Sequence, residues 1–289
     1  MNQNRSYIEK LKFQIDDISI IVDEMLDNSS VYYHDPNDNN SNILIIGASV
    51  HHWGKKDEKN QIKIRQEYGS FYANFELLLH KATPNILRKI KEANSTIINL
   101  IEQKRAPSFI ESGKKWFRTQ TNVFKDFLEL LIQEESRIVI LPDTNSLIQY
   151  PDPISYEKVA NTKNFDFVIL PTVLSELDKL KVSHRNEDFR KKVTSVIKRL
   201  KGYRKQGNVL KGVKVNETII VKMIATEPNF EKTLNWLDPN NNDDRIIANA
   251  LELQINRPSD YVIFVSSDIN FQNKAELANL TIYDTDEFE

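Results

Sequence analysis

The 289-residue chain contains no cysteine. That absence excludes disulfides, thiolate nucleophiles and cysteine zinc sites, and it fits a reducing compartment. Long apolar runs are missing too. No stretch approaches the ~20 residues that a bilayer-spanning helix requires. Met1–Arg5 leads straight into an amphipathic pattern, without the apolar segment of a secretory signal. These absences predict a cytoplasmic protein with no membrane partner. Net charge is also nearly absent, since 39 Lys and Arg against 41 Asp and Glu leave −2. The small sum hides an uneven distribution along the chain. Histidine offers no metal constellation. His51 and His52 are adjacent and point apart on any regular element, no third ligand has zinc spacing, and the pair reads as loop. No internal repeat is found.

What the chain does have is 40% hydrophobic and 28% charged residues, which suits two soluble domains of ordinary size. The first, 1–135, reads as mainly helical and chemically quiet. Ser6 and Glu9 form a capping box. Behind it Ile8, Leu11, Ile15, Ile18, Val22 and Met25 recur at spacings of three and four, one apolar stripe on a helix. A stripe that regular suits a helix–helix seam, within the chain or between two chains, and predicts a homo-oligomer. A polar break follows at 35–42. Ile43–Leu44–Ile45–Ile46 is compatible with a short strand or a buried helical turn. Ile64, Tyr68, Phe71, Phe75 and Leu78 mark a second helix. Thr83–Pro84 starts a third, which Ala106–Pro107 ends, and Val123 to Leu131 mark the last.

From Arg137 the pattern changes to strands alternating with helices. Strands are expected at 137–142, 165–170, 217–223, 261–266 and 280–284, and helices near 146–150, 172–182, 187–205, 229–236, 243–256 and 270–279. Such alternation builds a mostly parallel sheet with right-handed crossovers, whose crevice lies at the C-terminal strand ends. Two apolar runs end there in an acid, Asp143 and Asp268. Glu176 and the Asp243–Asp244 pair sit near the starts of amphipathic helices. Each alone also fits an N-cap, a turn or a solvated helix position. Gathered in one cleft they repel one another, and such a cluster is usually neutralised by hard divalent cations, here Mg²⁺ or Mn²⁺.

Next to the acidic set lies a basic stretch, Lys181 to Lys214, opposed only by Glu187 and Asp188. Its helix turns Val193, Val196, Ile197 and Leu200 inward, and Arg190, Lys191, Lys198, Arg199 and Arg204 outward, with Arg185 just before it. Such runs are usually solvated faces, but a basic rim beside an acidic site also suits a phosphate backbone. Tyr203 and His184 fit either base stacking or ordinary packing.

Asp143–Thr144–Asn145, Glu176 after an apolar strand, Asp243–Asp244 opening Arg245–Ile246–Ile247–Ala248–Asn249–Ala250–Leu251, and Ser266–Ser267–Asp268 together resemble the PIN domain family over about 137–284. The resemblance implies a PIN-like α/β/α sandwich with a central parallel sheet over 136–289, preceded by the mainly α-helical domain. It also implies a divalent-metal-dependent endoribonuclease that hydrolyses RNA. The family's acidic positions fall on Asp143, Glu176, Asp243 or Asp244, and Asp268, which would serve as metal ligands and catalytic residues. Asn145 and Ser266 match polar supporting positions. The substrate preference for RNA comes mainly from the resemblance. A structure-specific DNA nuclease and a non-catalytic nucleic-acid-binding or assembly module are the alternatives, and RNA maturation, a toxin with its antitoxin or other inhibitor, and antiviral defence are all compatible contexts. A haloacid-dehalogenase-type phosphatase is set aside, because its second Asp would stand where Asn145 is.

Overall fold

A computed structural model describes residues 5–35 and 51–288. Most of the polar break and the run 43–46 lie outside the described residues. The chain forms two compact units. One spans Glu9–Leu131, and the other comprises Ile132–Glu289 with the stretch up to Ile8.

The Glu9–Leu131 unit is mostly helical. Its elements are α1 (Tyr7–Asp27), β1 (Val31–Tyr33), β2 (His51–Trp53), α2 (Glu58–Glu76), α3 (Pro84–Ile101) and α4 (Ile110–Glu129). The stripe on α1 is fully consumed inside the chain: Leu11, Ile15, Val22 and Met25 have no exposed surface. The stripe is therefore a seam within the chain, one of the two alternatives that its spacing left open. Charged residues flank the stripe. Lys12 pairs with Glu129, Asp16 with Lys125, Asp23 with Arg118, and Asp27 with Lys114 at 2.6 Å. Partner numbers fall along α4 as they rise along α1, so the two helices run antiparallel.

Thr83 caps α3, accepting from the Ile86 amide at 3.4 Å, with Pro84 in the first turn where its missing N–H is harmless. The helix stops at Ile101 rather than at Ala106–Pro107. Gln103 adopts φ 47°, and its side chain reaches Ser29 Oγ at 2.9 Å. His51 and His52 occupy β2, not a loop. They pair with Tyr33 and Tyr32 of β1, and the ring centroids of each pair lie 5.6 Å apart.

The second unit contains β3 (Ile138–Pro142), α5 (Thr144–Gln149), α6 (Glu157–Ala160), β4 (Asp166–Ile169), α7 (Pro171–Ser183), α8 (Glu187–Gln206), β5 (Val213–Val215), β6 (Ile219–Met223), α9 (Asn242–Asn256), β7 (Tyr261–Val265), α10 (Ile269–Leu277) and β8 (Thr281–Tyr283). The sheet order is β5-β6-β4-β3-β7-β8. All neighbours are parallel except β5 and β6. This is an α/β/α arrangement around a parallel-dominated six-stranded sheet. Its central strands β3, β4 and β7 are buried runs, as a sheet covered on both faces demands.

One strand is unforeseen here and one expected helix fails. β5 was not anticipated. It returns antiparallel through Asn216 and Glu217, both at positive φ (50° and 62°), which is the conformation of a tight hairpin turn. The helix expected at 229–236 reduces to a single 3-10 turn at Phe230–Lys232, begun by Asn229 accepting from the Glu231 amide. Leu234 and Leu237 are buried there without a helix to carry them.

The topology fixes where a site belongs. From β3 the chain moves outward through β4 to β6, then crosses back to β7 on the other side of β3. The crevice between the C-terminal ends of β3 and β7 is therefore the switch point, where open α/β sheets bind ligands.

Candidate active site

Asp143 follows β3 directly and stands at that switch point. Its amide donates to the Val265 carbonyl at 3.0 Å. Its carboxylate caps α5, accepting from the Ser146 amide at 2.6 Å, and its other oxygen accepts from Ser266 Oγ. Ser266, fully buried just after β7, also accepts from the Asp268 amide at 3.1 Å. One hydroxyl thus links the ends of the two strands that flank the crevice. Asp268 is exposed and caps α10, accepting from the amides of Asn270 and Phe271 at 2.8 and 3.2 Å.

Glu176 comes from the second turn of α7. Thr144 Oγ1 donates to one of its oxygens, and Asn242 Nδ2 donates to the other at 2.7 Å. Asn241 caps α9, accepting from the amides of Asp243 and Asp244 at 2.9 and 3.2 Å. The two neighbouring acids then separate. Asp244 is buried, binding Lys274 Nζ at 2.7 Å and the Asp238 amide at 3.0 Å. Asp243 is half-buried and lies in the field of Asp268, Glu176 and Asp244.

Electrostatics join these groups. Burial raises the Asp143 carboxyl above its ordinary value, and Glu176 adds to the rise against the hydrogen bonds from Ser266 and Ser146. Burial likewise raises Asp243, with Lys274 opposing and Asp268, Glu176 and Asp244 adding. Among the described residues, no three His, Cys, Asp or Glu side chains converge into a ready-made metal cage. Hydrogen bonds from Thr144, Asn242, Ser146 and Ser266 instead hold the carboxylates individually.

Asn145 is exposed and lines a groove between α5 and α8. The basic residues fall into different roles. Arg190 closes the end of α7, donating to the His184 carbonyl at 2.6 Å. Lys191 pairs with Glu187 and Asp188, each at 3.2 Å. Arg199 binds Asp152 at 3.1 Å. Arg185, Lys198 and Arg204 are exposed. Tyr203 is buried at 6% exposure, so it packs rather than stacks on a ligand. The sequence reading missed three participants: Thr144 and Asn242, which grip Glu176, and Lys274, the cation of the cluster. Thr144 and Asn242 stand beside acidic residues in the chain, whereas Lys274 carries no sequence signal.

A larger cavity, about 730 Å³, lies at the opposite strand ends around Arg137, Asp166 and Tyr261. Asp166 is neutralised there by Arg137 at 3.2 Å and by Lys222. It sits at the N-terminal edge, away from the switch point.

A parallel-dominated sheet with helices on both faces and acidic residues near its C-terminal switch point defines an α/β/α domain. The family model of the PIN domain matches residues 140–286, and the chain belongs to that family. Members are generally nucleases that use divalent metal ions and act on nucleic acid. No curated protein matches the chain.

Proposed function

We propose that this protein is a divalent-metal-dependent endoribonuclease. The observation that carries the reading is the electrostatic coupling of acids from four separate segments, Glu176 acting on Asp143, and both Glu176 and Asp268 acting on Asp243. The donor set fits Mg²⁺ or Mn²⁺: all oxygen, with no thiolate or imidazole. Its two raised carboxyls are a second sign, because a cation would offset the burial, and the weaker repulsion, that raise them. Asp143, Glu176, Asp243 and Asp268 would hold the ion, and Asp244, already bound to Lys274, would not. When bound, such an ion activates water and neutralises phosphate charge.

The remaining work falls to the chain. Ser266 and the Ser146 amide orient Asp143. Thr144 and Asn242 each donate to one oxygen of Glu176 and fix its carboxylate. The low exposure of Asp143 limits competing water. Exposed Arg185, Lys198 and Arg204 supply backbone attraction, while Arg190, Lys191 and Arg199 are held by protein partners.

The test is cleavage of end-labelled RNA by the full chain with Mg²⁺ or Mn²⁺. Internal cuts that vanish with EDTA and with Asp243→Asn are expected. Cleavage unaffected by chelator would sink the metal reading, and exclusive cleavage of a parallel DNA substrate would sink the RNA reading.

A further inference from the structure

The acidic centre leaves a neighbouring groove unused. It encloses about 640 Å³ between α5 and α8. Asn145, Ile148 and Gln149, three and four residues apart, present one face of α5 to it. Phe189, Lys192 and Ser195, three apart, present one face of α8. Asn145 in the lining is two residues from Asp143.

The lining combines three chemistries. Phe189 supplies a flat apolar surface, its ring supported by His184 with centroids 4.1 Å apart and planes tilted by 33°. Asn145, Gln149 and Ser195 are exposed and carry amide and hydroxyl groups that both donate and accept. Lys192 is exposed and is the only charge in the lining, where no Asp or Glu appears. A groove whose sole lining charge is positive, with Asn145 only two residues from Asp143, suits a polyanion that extends past the acidic centre. An apolar peptide would leave the amides and Lys192 without partners.

We propose that this groove is a nucleotide subsite that receives one base of the substrate RNA next to the cut phosphate. Phe189 gives the stacking face, Asn145 and Gln149 read the base edge, and Lys192 meets the flanking phosphate. The proposal rests on the nuclease reading above. Its volume falls in the range of pockets that enclose a small ligand. Stacking accepts any base, because every base has a π face. The two amides add a preference, since an amide paired with the wrong edge is left unsatisfied.

The test maps cut positions on RNA oligonucleotides randomised around the site, using the full chain with Mn²⁺. The wild type is expected to prefer one base at a fixed distance from the cut. Ser195→Trp fills the groove from an exposed position, and Phe189→Ala removes the stacking face. Either is expected to raise KM by about tenfold, with a smaller fall in kcat, and to erase that preference. Gln149→Ala is expected to change the preferred base, and Lys192→Ala to raise KM without changing it. Thermal melting serves to set aside variants that fail to fold, and the remaining folded ones decide. Wild-type KM and cut pattern in the folded groove variants would overturn the subsite while leaving the nuclease reading intact. A wild type that neither cuts nor binds RNA would overturn both.

Discussion

Asp143 and Asp244 are both nearly buried, at 8% and 4% exposure, yet their surroundings give them opposite tasks. Asp244 has a cation, Lys274, and an amide on its two oxygens. Asp143 has only neutral donors and a nearby carboxylate. Asp244→Asn should therefore cost stability, about 1–3 kcal/mol from the lost charged hydrogen bond, with the partial exposure of Lys274 limiting the loss. Asp143→Asn should do the reverse. Its carboxyl titrates above the ordinary value of 3.8 because burial disfavours the charge. The folded state then binds the proton more tightly than the unfolded one. Stability from this group is complete below the unfolded value and is lost as pH rises through the folded one. The Asn variant should melt higher than wild type at neutral pH, and the gain should vanish as pH falls below 3.8. Turnover should fall on the order of 100-fold or more, a loss of several kcal/mol of transition-state stabilisation. A variant that cleaves normally would remove Asp143 from the site.

At the scale of elements, legibility followed the length and regularity of the pattern. β3 and β7 could be read because each is a run of buried apolar residues ending in a polar punctuation, Asp143 or Ser266. β5 escaped because it has three residues, and because its turn, Asn216–Glu217, lacks the glycine that usually marks positive φ. Where a helix is expected at 229–236, Leu234 and Leu237, whose spacing of three fits either conformation, are instead buried from an irregular segment. The α1 stripe was read correctly as a seam, but periodicity alone cannot say which helix covers it. The charges flanking the stripe cannot say it alone either. The four cross-helix pairs between α1 and α4 share one antiparallel register, a pattern visible only once the partner is known. Asp16→Lys should lower stability by about 0.5–1 kcal/mol, because it sets like charges opposite Lys125. Adding Lys125→Asp should restore most of the loss, because the pair is re-formed with its signs exchanged. Denaturant melts of the two single variants and the double variant measure this coupling. A double variant no more stable than the sum of the singles would show that the register contributes nothing.

At the scale of the molecule, the acidic centre is a local cost that a ligand can reverse. The unit of 132–289 holds Asp143 and Asp243 as carboxyls whose charged forms burial and neighbouring acids disfavour. An ion that binds the folded unit and not the unfolded chain stabilises it by mass action, about 2.7 kcal/mol at a hundred times its Kd. Repulsion among the four acids should fall at the same time, so the wild type has more to gain than a variant with fewer charges. Mn²⁺ or Mg²⁺ should therefore raise the melting temperature of the full chain, and EDTA should return it to the metal-free value. The shift should shrink strongly in both Asp143→Asn and Asp243→Asn, because each removes a ligand charge. It should persist in Asp244→Asn, whose carboxylate is engaged by Lys274 rather than facing the crevice. Calorimetric scans of the four proteins, with and without ion, separate a ligand from a structural acid without reference to activity. An equal shift in wild type and Asp143→Asn would place the ion elsewhere on the chain, and a shift lost in Asp244→Asn but kept in Asp243→Asn would exchange the roles of the two neighbours.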